Sequence, residues 1–411
     1  MLDVQQVRRQ FPAIQHVRVA GRPAVFFDGP AGSQVPQGVI DAIGRYYVQS
    51  NANHGGCFQT SRQSDEILHE AHQAAADFVN APAADLVAFG ANMTSLTFAL
   101  SRSLGRTWRH GDEVMVTRLD HDANVTPWVL AARDAGAKVQ HVAVNEADCT
   151  LNMDDFQAKL SPRTRLVAVG CASNAVGTVN PVGEMVKMAH GVGAQVFLDA
   201  VHYAPHALPD VQAWDCDFLA CSAYKFFGPH IGVMYGKREW LESLPVYKLR
   251  PAPAELPGRW ETGTQNHECL AGVLAAIDYL ADLGRPSASP EVSRRAALEQ
   301  AYRLIGEYET GLLHHLMSGL AKLPDIKVWG ITNPEHFAQR LPTISLTHRT
   351  HSPAHLAQRL ANSGIFTWAG NFYALPLTEA LQLEPTGLLR IGLLHYNTQE
   401  EIDRLLEVLA T

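Results

Sequence analysis

The chain has 411 residues, of which 46% are hydrophobic and 18% are charged, as in an ordinary soluble protein of two domains or two lobes. Its formal net charge of −8 argues against a general binder of nucleic acids or of anionic membranes. No apolar run approaches the roughly 20 residues that a membrane-spanning helix needs.

The elements of the first two thirds of the chain predict an α/β domain. A helix over 4–10 is expected to pack on the C-terminal lobe, and a polar loop over 50–62 precedes a helix over 64–79. From residue 85 strands and helices alternate. The predicted strands are 86–89, 113–117, 139–144, 166–171, 195–198, 218–221 and 232–235, and the predicted helices between them are 93–104, 124–134, 153–160 and 182–191. Seven strands with these crossovers predict a mostly parallel sheet covered on both faces, with its ligand at the carboxyl ends of the strands.

The C-terminal third predicts a smaller α+β lobe. A long amphipathic helix is expected over about 290–323. Short strands and helices follow it, at 326–329, 343–346, 354–362, 388–391 and 398–409. We therefore divide the chain into a large domain over 18–262 and a small domain made of 1–17 and 263–411.

The N-terminal segment and the cysteines indicate a cytoplasmic protein. The first residues lack the apolar core of a secretion signal. Six cysteines show neither a CxxC spacing nor the density of a disulfide framework, so we expect reduced thiols. His348, His351 and His355 are spaced like metal ligands, but no acid or thiol completes the set, and we predict no metal site.

Two apolar runs end in residues that point to a cofactor. The run over 196–198 ends in Asp199, and the run over 218–221 leads into Ser222 and Lys225. A lysine amine forms an imine with the aldehyde of pyridoxal phosphate (PLP), and a carboxylate on the ring nitrogen keeps that nitrogen protonated. Ser222 can offer a hydroxyl to the cofactor phosphate. This pairing predicts a PLP site.

The turn after the first predicted strand of the sheet is a candidate phosphate cradle. The stretch Gly-Ala-Asn-Met-Thr-Ser leads from that strand into a helix, where backbone N–H groups and the hydroxyls of Thr94 and Ser95 can bind an anion. An ordinary helix cap uses the same residue types, so this turn alone is weak evidence for a phosphate site. It indicates one only in combination with the candidate cofactor lysine.

The stretch LDAVHYAPHALPDVQAWDCDFLACSAYKFFGPHIGVMYGK, from Leu198 to Lys237, resembles the lysine region of the class V aminotransferase superfamily. The resemblance is closest to its cysteine desulfurase and selenocysteine lyase branch and runs from about Phe27 to the C-terminus. It implies the PLP-dependent transferase fold type I, with a seven-stranded, mostly parallel sheet flanked by helices and a smaller α+β C-terminal domain. It also implies an L-amino acid, a small molecule, as substrate and a homodimer with composite active sites.

The resemblance also implies roles for individual residues. Lys225 is the catalytic lysine, and Thr94 is a phosphate ligand. His121, in the setting Asp-His-x-Ala-Asn-x-x-Pro-Trp, stacks on the cofactor ring and can relay protons. Asn174 touches the ring hydroxyl and the substrate carboxylate. Arg390 grips the α-carboxylate, for which a planar guanidinium is well suited.

Three positions of the implied cofactor site need separate interpretation. His202 stands where desulfurases usually have glutamine, and it can still donate to the ring oxygen. Tyr224 replaces the usual histidine before the lysine, which leaves its phosphate contact open. Thr264, after Gly263, matches a residue that reaches the cofactor phosphate of the neighbouring subunit; the alternative is a loop that caps the next helix.

The resemblance breaks at the sulfur acceptor. Desulfurases take sulfur from the substrate with a mobile cysteine of the small domain, and the matching stretch from Gly364 to Leu377 holds Tyr373 at that position. No cysteine follows Cys269. We therefore expect an enzyme that forms a carbanion at the α-carbon of an L-amino acid without a persulfide from this loop, and elimination, transamination and racemisation stay open. The alternatives are a desulfurase that uses another thiol, such as Cys57, and a PLP-binding protein without catalysis.

Overall fold

The computed structural model describes residues 2–285 and 292–411. The helices of these residues are α1 (Val4–Arg9), α2 (Pro12–His16), α3 (Gln37–Gln49), α4 (Gln59–Val79), α5 (Met93–Gly105), α6 (Thr126–Ala135), α7 (Met153–Lys159), α8 (Val182–His190), α9 (Val211–Trp214), α10 (Arg238–Ser243), α11 (His267–Gly284), α12 (Arg294–Leu320), α13 (Pro353–Asn362), α14 (Leu375–Ala380) and α15 (Gln399–Ala410).

The strands of the same residues are β1 (Arg18–Val19), β2 (Arg22–Pro23), β3 (Val25–Phe26), β4 (Val87–Gly90), β5 (Glu113–Thr117), β6 (Lys138–Val142), β7 (Val144–Asn145), β8 (Thr150–Leu151), β9 (Thr164–Gly170), β10 (Gln195–Asp199), β11 (Phe218–Ser222), β12 (Gly232–Gly236), β13 (Ile326–Trp329), β14 (Thr343–His348), β15 (Ile365–Phe366), β16 (Trp368–Gly370) and β17 (Leu388–Gly392).

A seven-stranded sheet forms the centre of the protein, in the order β4-β12-β11-β10-β9-β5-β6. Neighbouring strands are parallel except at β12, which runs antiparallel to β11 and β4. Strands β5, β11 and β12 are buried along their whole length, because their apolar residues are covered by packed helices. The predicted seven-stranded, mostly parallel sheet is confirmed.

A four-stranded antiparallel sheet in the order β13-β14-β17-β16 forms the smaller lobe. Leu346 and Ile391 of this sheet share a buried cluster with Leu356 of α13 and Leu405 of α15. This is the α+β lobe that the sequence predicts. Helix α1 packs on the C-terminal segment of the chain, as expected. Arg8 donates to the Tyr396 carbonyl at 2.6 Å and pairs with Glu401 at 2.8 Å.

The packing divides the chain differently from the expected boundary at residue 263. Ile277 of α11 and Ile305 of α12 lie in the buried cluster of the central sheet. Farther along α12, Leu312 belongs to the cluster of the smaller lobe, and so does Val25 near the N-terminus. We therefore propose that the boundary lies inside α12.

Several predicted elements have different limits in the structure. Helix α4 begins at Gln59, five residues before the predicted start at 64. The strand predicted over 139–144 ends at Val142, and β7 then pairs with β8 in a separate hairpin. The long helix expected from 290 begins at Arg294, after a cap by Ser293, and residues 290 and 291 lie outside the described part of the chain. Among the described helices, none combines the length and apolar character needed to span a membrane.

Candidate active site

A cavity lies at the carboxyl ends of the parallel strands. The predicted site residues that line it are Thr94, His121, Asn174, Asp199, His202, Ser222, Tyr224 and Lys225. Ser95 and Thr264 line a neighbouring cleft instead. Parallel strands bring these side chains together because each strand ends at the same edge of the sheet.

Lys225 lies in a single helical turn that directly follows β11. Its amine is buried and donates to the Pro30 carbonyl. Burial lowers the pKa of the Lys225 amine to about 7, and the charge of Arg390 acts in the same direction, while Asp199 opposes them. A large share of this amine is therefore neutral and nucleophilic near neutral pH.

Asp199 is the last residue of β10 and is buried at the floor of the cavity. Its Oδ1 accepts the backbone N–H of Val201 at 2.8 Å. Burial raises the pKa of Asp199 to about 6, although the Lys225 charge lowers it. A buried carboxyl of this kind gains most from a cationic partner, which a protonated pyridine nitrogen would provide.

Asp120 is a buried acid whose structural role the sequence did not reveal. It accepts hydrogen bonds from the Thr117 hydroxyl at 2.6 Å and from the Gly170 backbone N–H at 2.5 Å. Burial raises its pKa to about 7, and the nearby charge of Asp199 adds to this rise. Asp120 thereby ties β5 to β9 directly before His121. An acid after a buried strand was the available signal, but its partner Gly170 lies 50 residues away in the sequence.

His121 presents its ring to the cavity in a neutral form. Its Nδ1 accepts the Ala123 backbone N–H at 3.0 Å, so the proton of the neutral ring lies on Nε2. Burial lowers the pKa of His121 to about 4, and the charges of Lys225 and Arg390 lower it further. A neutral, oriented imidazole suits the predicted stacking on a cofactor ring.

The N-terminus of α5 lies at the same cavity, which Met93 and Thr94 help to line. The Met93 N–H donates to the Ser222 hydroxyl oxygen at 2.9 Å, and Thr94 is exposed at the cavity wall. Ser95 instead donates its hydroxyl to the Asn92 carbonyl at 2.8 Å as part of the helix cap. A helix N-terminus with adjacent hydroxyls suits a phosphate. The contact of Ser95 with a phosphate stays a prediction.

Tyr224 and Thr264 lie near this phosphate end. The Tyr224 ring stacks on His230, with centroids 5.0 Å apart and planes at 12°. Thr264 is exposed in the cleft that also contains Ser95 and His230. The predicted contact of Thr264 with a second subunit's cofactor stays a prediction.

Two buried polar atoms supply a test of whether the cavity fits PLP. In the described part of the chain, Asn174 Oδ1 and His202 Nδ1 have no hydrogen-bond partner, and both residues line the cavity. Buried polar atoms without partners are rare in native proteins. With the buried Asp199 and Lys225, these atoms form a set that fits a pyridine ring carrying an oxygen substituent and an aldehyde.

Arg390, on β17, lies behind Asn174 and does not itself line the cavity. One guanidinium nitrogen donates to the Asn174 carbonyl at 2.8 Å, and the guanidinium carbon lies 4.1 Å from the Phe372 ring centroid. Burial lowers the pKa of Arg390 to about 9, while Tyr224 and Asp28 oppose this shift. The group therefore remains charged at neutral pH and can bind a carboxylate.

The loop that holds Tyr373 is docked against the site. The Asn174 side chain donates to the Phe372 carbonyl at 2.8 Å, and the Asp122 backbone N–H donates to the Tyr373 carbonyl at 2.7 Å. Phe372 and Tyr373 have φ values of 57° and 59°, a left-handed conformation that costs free energy in residues other than glycine. Long-range contacts must therefore hold the loop in this form. Local sequence carries no signal for such docking.

Cys57 lies on the loop between α3 and α4. It is exposed, and it is absent from the lining of the Lys225 cavity in the same chain. Its carbonyl accepts a hydrogen bond from Arg62, which ties the loop to α4.

Comparisons with known proteins agree with this geometry. The family model for aminotransferase class-V matches residues 25–405. A cysteine desulfurase of Synechococcus elongatus is 34% identical over 421 residues, and the alignment spans 98% of this chain but only 62% of that relative. A cysteine desulfurase of an Enterobacter species is 32% identical over 417 residues, with 98% and 96% of the two chains covered. A solved structure, the apo cysteine desulfurase of Thermococcus onnurineus, superposes with a TM-score of 0.88 at 25% identity, covering 100% of this chain and 98% of that one.

These matches confirm the resemblance that the lysine region suggested, and they confirm the expected fold type. The matched range includes both the lysine turn after β11 and Arg390 on β17. The chain belongs to the class-V aminotransferase family and is a PLP-dependent enzyme of the cysteine desulfurase-like type.

Proposed function

We propose that this enzyme is a lyase that cleaves the carbon–sulfur bond of L-cysteine or a close analogue and releases the sulfur to solution. The observation that carries the proposal is the docked loop, which holds Tyr373 where the resemblance leads us to expect the acceptor thiol, in a chain with no cysteine after Cys269. The relatives named cysteine desulfurase support a cysteine-like substrate. With cysteine, the balanced reaction converts the amino acid and water into pyruvate, ammonia and hydrogen sulfide.

The proposed cofactor contacts come from four parts of the cavity. Asp199 would pair with the ring nitrogen, and His202 and Asn174 would meet the ring oxygen. The α5 N-terminus, with Thr94 and Ser222, would hold the phosphate. Bound PLP supplies an electron sink for the substrate α-carbon.

The proposed roles of the remaining residues follow from charge and burial. Arg390 would bind the substrate carboxylate beside Asn174, whose carbonyl it contacts at 2.8 Å. Lys225 takes the α-proton, since its amine loses its own proton near pH 7. His121 stays neutral and holds the ring flat from the side of the docked loop.

The cysteines of the described chain give little support to a sulfur relay. Burial raises the pKa of the Cys171, Cys216 and Cys221 thiols, so these thiols are poor nucleophiles. Cys57 is exposed but lies outside the cavity lining of its own chain. A route through Cys57 would require its loop to reach an active site, its own or that of a second subunit.

The homodimer, its composite sites and the cytoplasmic location stay predictions. The position of Thr264 supports the first two, because it faces a cleft separate from the Lys225 cavity of the same chain. The six unpaired cysteines are compatible with a reducing compartment.

Product identification tests the proposal. PLP-loaded protein is given L-cysteine, and pyruvate, alanine, free sulfide and ammonia are measured, with Lys225→Ala as the inactive control. Pyruvate and free sulfide in equal amounts are expected. Alanine formation would overturn the elimination, and amino transfer that depends on an added keto acid would assign a transaminase instead.

A further inference from the structure

A hydrogen bond between the two lobes ends at the cofactor cavity. His202 lies in the turn after β10, and Thr343 is the first residue of β14 in the smaller lobe. The His202 Nε2 and the Thr343 hydroxyl oxygen are 3.0 Å apart, and both side chains are buried. The other ring nitrogen, Nδ1, has no partner among the described residues.

The direction of this bond determines which His202 nitrogen carries the proton. The Thr343 hydroxyl has His202 Nε2 as its only hydrogen-bond partner in the described part of the chain. A buried hydroxyl proton without an acceptor is costly. In the cofactor-free protein either tautomer of a neutral ring leaves one buried donor without an acceptor, the Thr343 hydroxyl or the Nδ1–H. His202 lines the cavity, where the ring oxygen of the proposed cofactor can accept from Nδ1. With that oxygen present, both donors are satisfied only when the Thr343 hydroxyl donates to Nε2. The proton of His202 is left on Nδ1.

We propose that Thr343 is a positioning residue that holds His202 in the Nδ1–H tautomer and so gives the PLP ring oxygen a hydrogen-bond donor. This inference rests on the proposed cofactor site. A glutamine at this position would present its amide N–H without help, whereas a histidine can present either a donor or an acceptor. Thr343 removes that ambiguity.

The surroundings of His202 keep its ring neutral, as this arrangement requires. Burial holds the pKa of His202 well below its ordinary value, and the charges of His206, Lys225 and Arg390 add to the effect. His206 itself is bound through Nδ1 to the buried carboxylate of Glu309 at 2.8 Å. A charged His202 would thus lack solvation and would face the positive charge of Arg390.

The same strand links this bond to the proposed substrate arginine. Strand β14 pairs with β17, and Ser345 lies opposite Arg390 while Thr343 lies opposite Gly392. Any shift of this sheet would move the substrate-binding and ring-positioning groups together. Thr343 therefore orients His202 from the lobe that binds the substrate carboxylate.

The first test measures the tautomer in the PLP-loaded protein before any substrate is added. Histidine-labelled full-length protein is studied by nitrogen NMR, and the His202 signal is assigned by its absence from the His202→Gln variant. Wild type and Thr343→Ser should carry the proton on Nδ1, whereas Thr343→Val should lose this preference. A proton on Nε2 in the wild type would overturn the proposal. Because no substrate is present, this result is independent of the proposed reaction.

The second test uses the holoenzyme. The pKa of the lysine–cofactor linkage is measured by its visible absorbance, with and without Thr343→Val, in the wild-type and His202→Gln backgrounds. A donor to the ring oxygen stabilises its negative charge, so Thr343→Val should raise this pKa by about one unit. In the His202→Gln background the same change should leave it unaltered. Equal shifts in both backgrounds would contradict an action through the tautomer, and Thr343→Ser should restore the wild-type value.

Discussion

The Tyr373 ring lies against the His121 imidazole, with ring centroids 5.4 Å apart and planes 27° apart. The two residues come from different lobes, and the Asp122 N–H bond to the Tyr373 carbonyl at 2.7 Å holds them together. Tyr373 is nevertheless 71% exposed, so its ring covers the outer side of the site. The loop in which we expect the mobile thiol of the resembled enzymes therefore places an aromatic ring over the histidine.

Removal of this cover should change the ionisation of His121. Burial is the main reason for its low pKa of about 4, so Tyr373→Ala should raise the pKa toward the ordinary value near 6.5 by about one unit. Tyr373→Phe keeps the ring and should leave the pKa unchanged. An NMR titration of His121 measures both. A rise in the His121 pKa in Tyr373→Phe as large as that in Tyr373→Ala would contradict this prediction, because it would show that the hydroxyl matters instead of the ring.

Arg390→Lys should weaken substrate binding more than it slows turnover. Lysine keeps a charge but loses the planar fork and the face that packs on Phe372. Loss of charge-assisted bonds of about 1.5–3 kcal/mol corresponds to a rise in KM of roughly 10- to 100-fold. Steady-state kinetics with cysteine test this, and cysteamine, which lacks the carboxylate, is the matched control ligand. Equal weakening of both ligands would argue against a carboxylate contact.

The low pKa of Lys225 should appear in the pH dependence of cofactor loading. Only the neutral amine attacks an aldehyde, and its proton is lost at about pH 7. The rate of covalent PLP incorporation into cofactor-free protein should therefore rise with pH and approach its plateau above pH 7. Borohydride trapping followed by mass spectrometry measures the product, with Lys225→Ala as the control. A rate that still rises steeply near pH 10 would contradict the lowered pKa.

Asp199→Asn should stabilise the cofactor-free protein at pH 8 while weakening PLP binding. Burial raises the pKa of Asp199 in the folded protein to about 6, above its value in the unfolded chain. The Asp199 side chain therefore adds most to the free energy of unfolding below its unfolded pKa, and this contribution is lost as the pH rises through the folded pKa. At pH 8 the burial of the ionised Asp199 carboxylate lowers the free energy of unfolding by roughly 1–3 kcal/mol. The Asp199→Asn change removes this cost at pH 8 and has little effect at pH 4. Urea unfolding at both pH values, together with PLP titration, measures the two effects. The same stabilisation at both pH values would refute this account of the charge.

Much of the site could be predicted because it depends on where strands end. The apolar runs that end in Asp199 and Ser222 place these residues at one sheet edge, and the structure brings Lys225, Asn174 and His121 to the same cavity. Local pattern is sufficient for this, since parallel strands share the direction of their carboxyl ends.

The features that sequence could not predict depend on distant contacts. Asn174 and Phe372 are 198 residues apart in the chain, and their bond helps to hold a left-handed backbone that local preference disfavours. The sequence also could not predict that α12 contributes to two hydrophobic cores. Its apolar residues recur along the whole helix, but the first part packs in the core of the central sheet and the last part in the core of the smaller lobe.

The most direct test of the central claim is the fate of sulfur during turnover. Holoenzyme is mixed with L-cysteine, quenched during the reaction, and analysed by intact mass spectrometry, with Cys57→Ala treated in parallel. We predict no sulfur added to either protein and the same rate of sulfide and pyruvate release from both. A sulfur atom bound to the wild type but absent from Cys57→Ala, with alanine as the product, would contradict the account and identify a desulfurase.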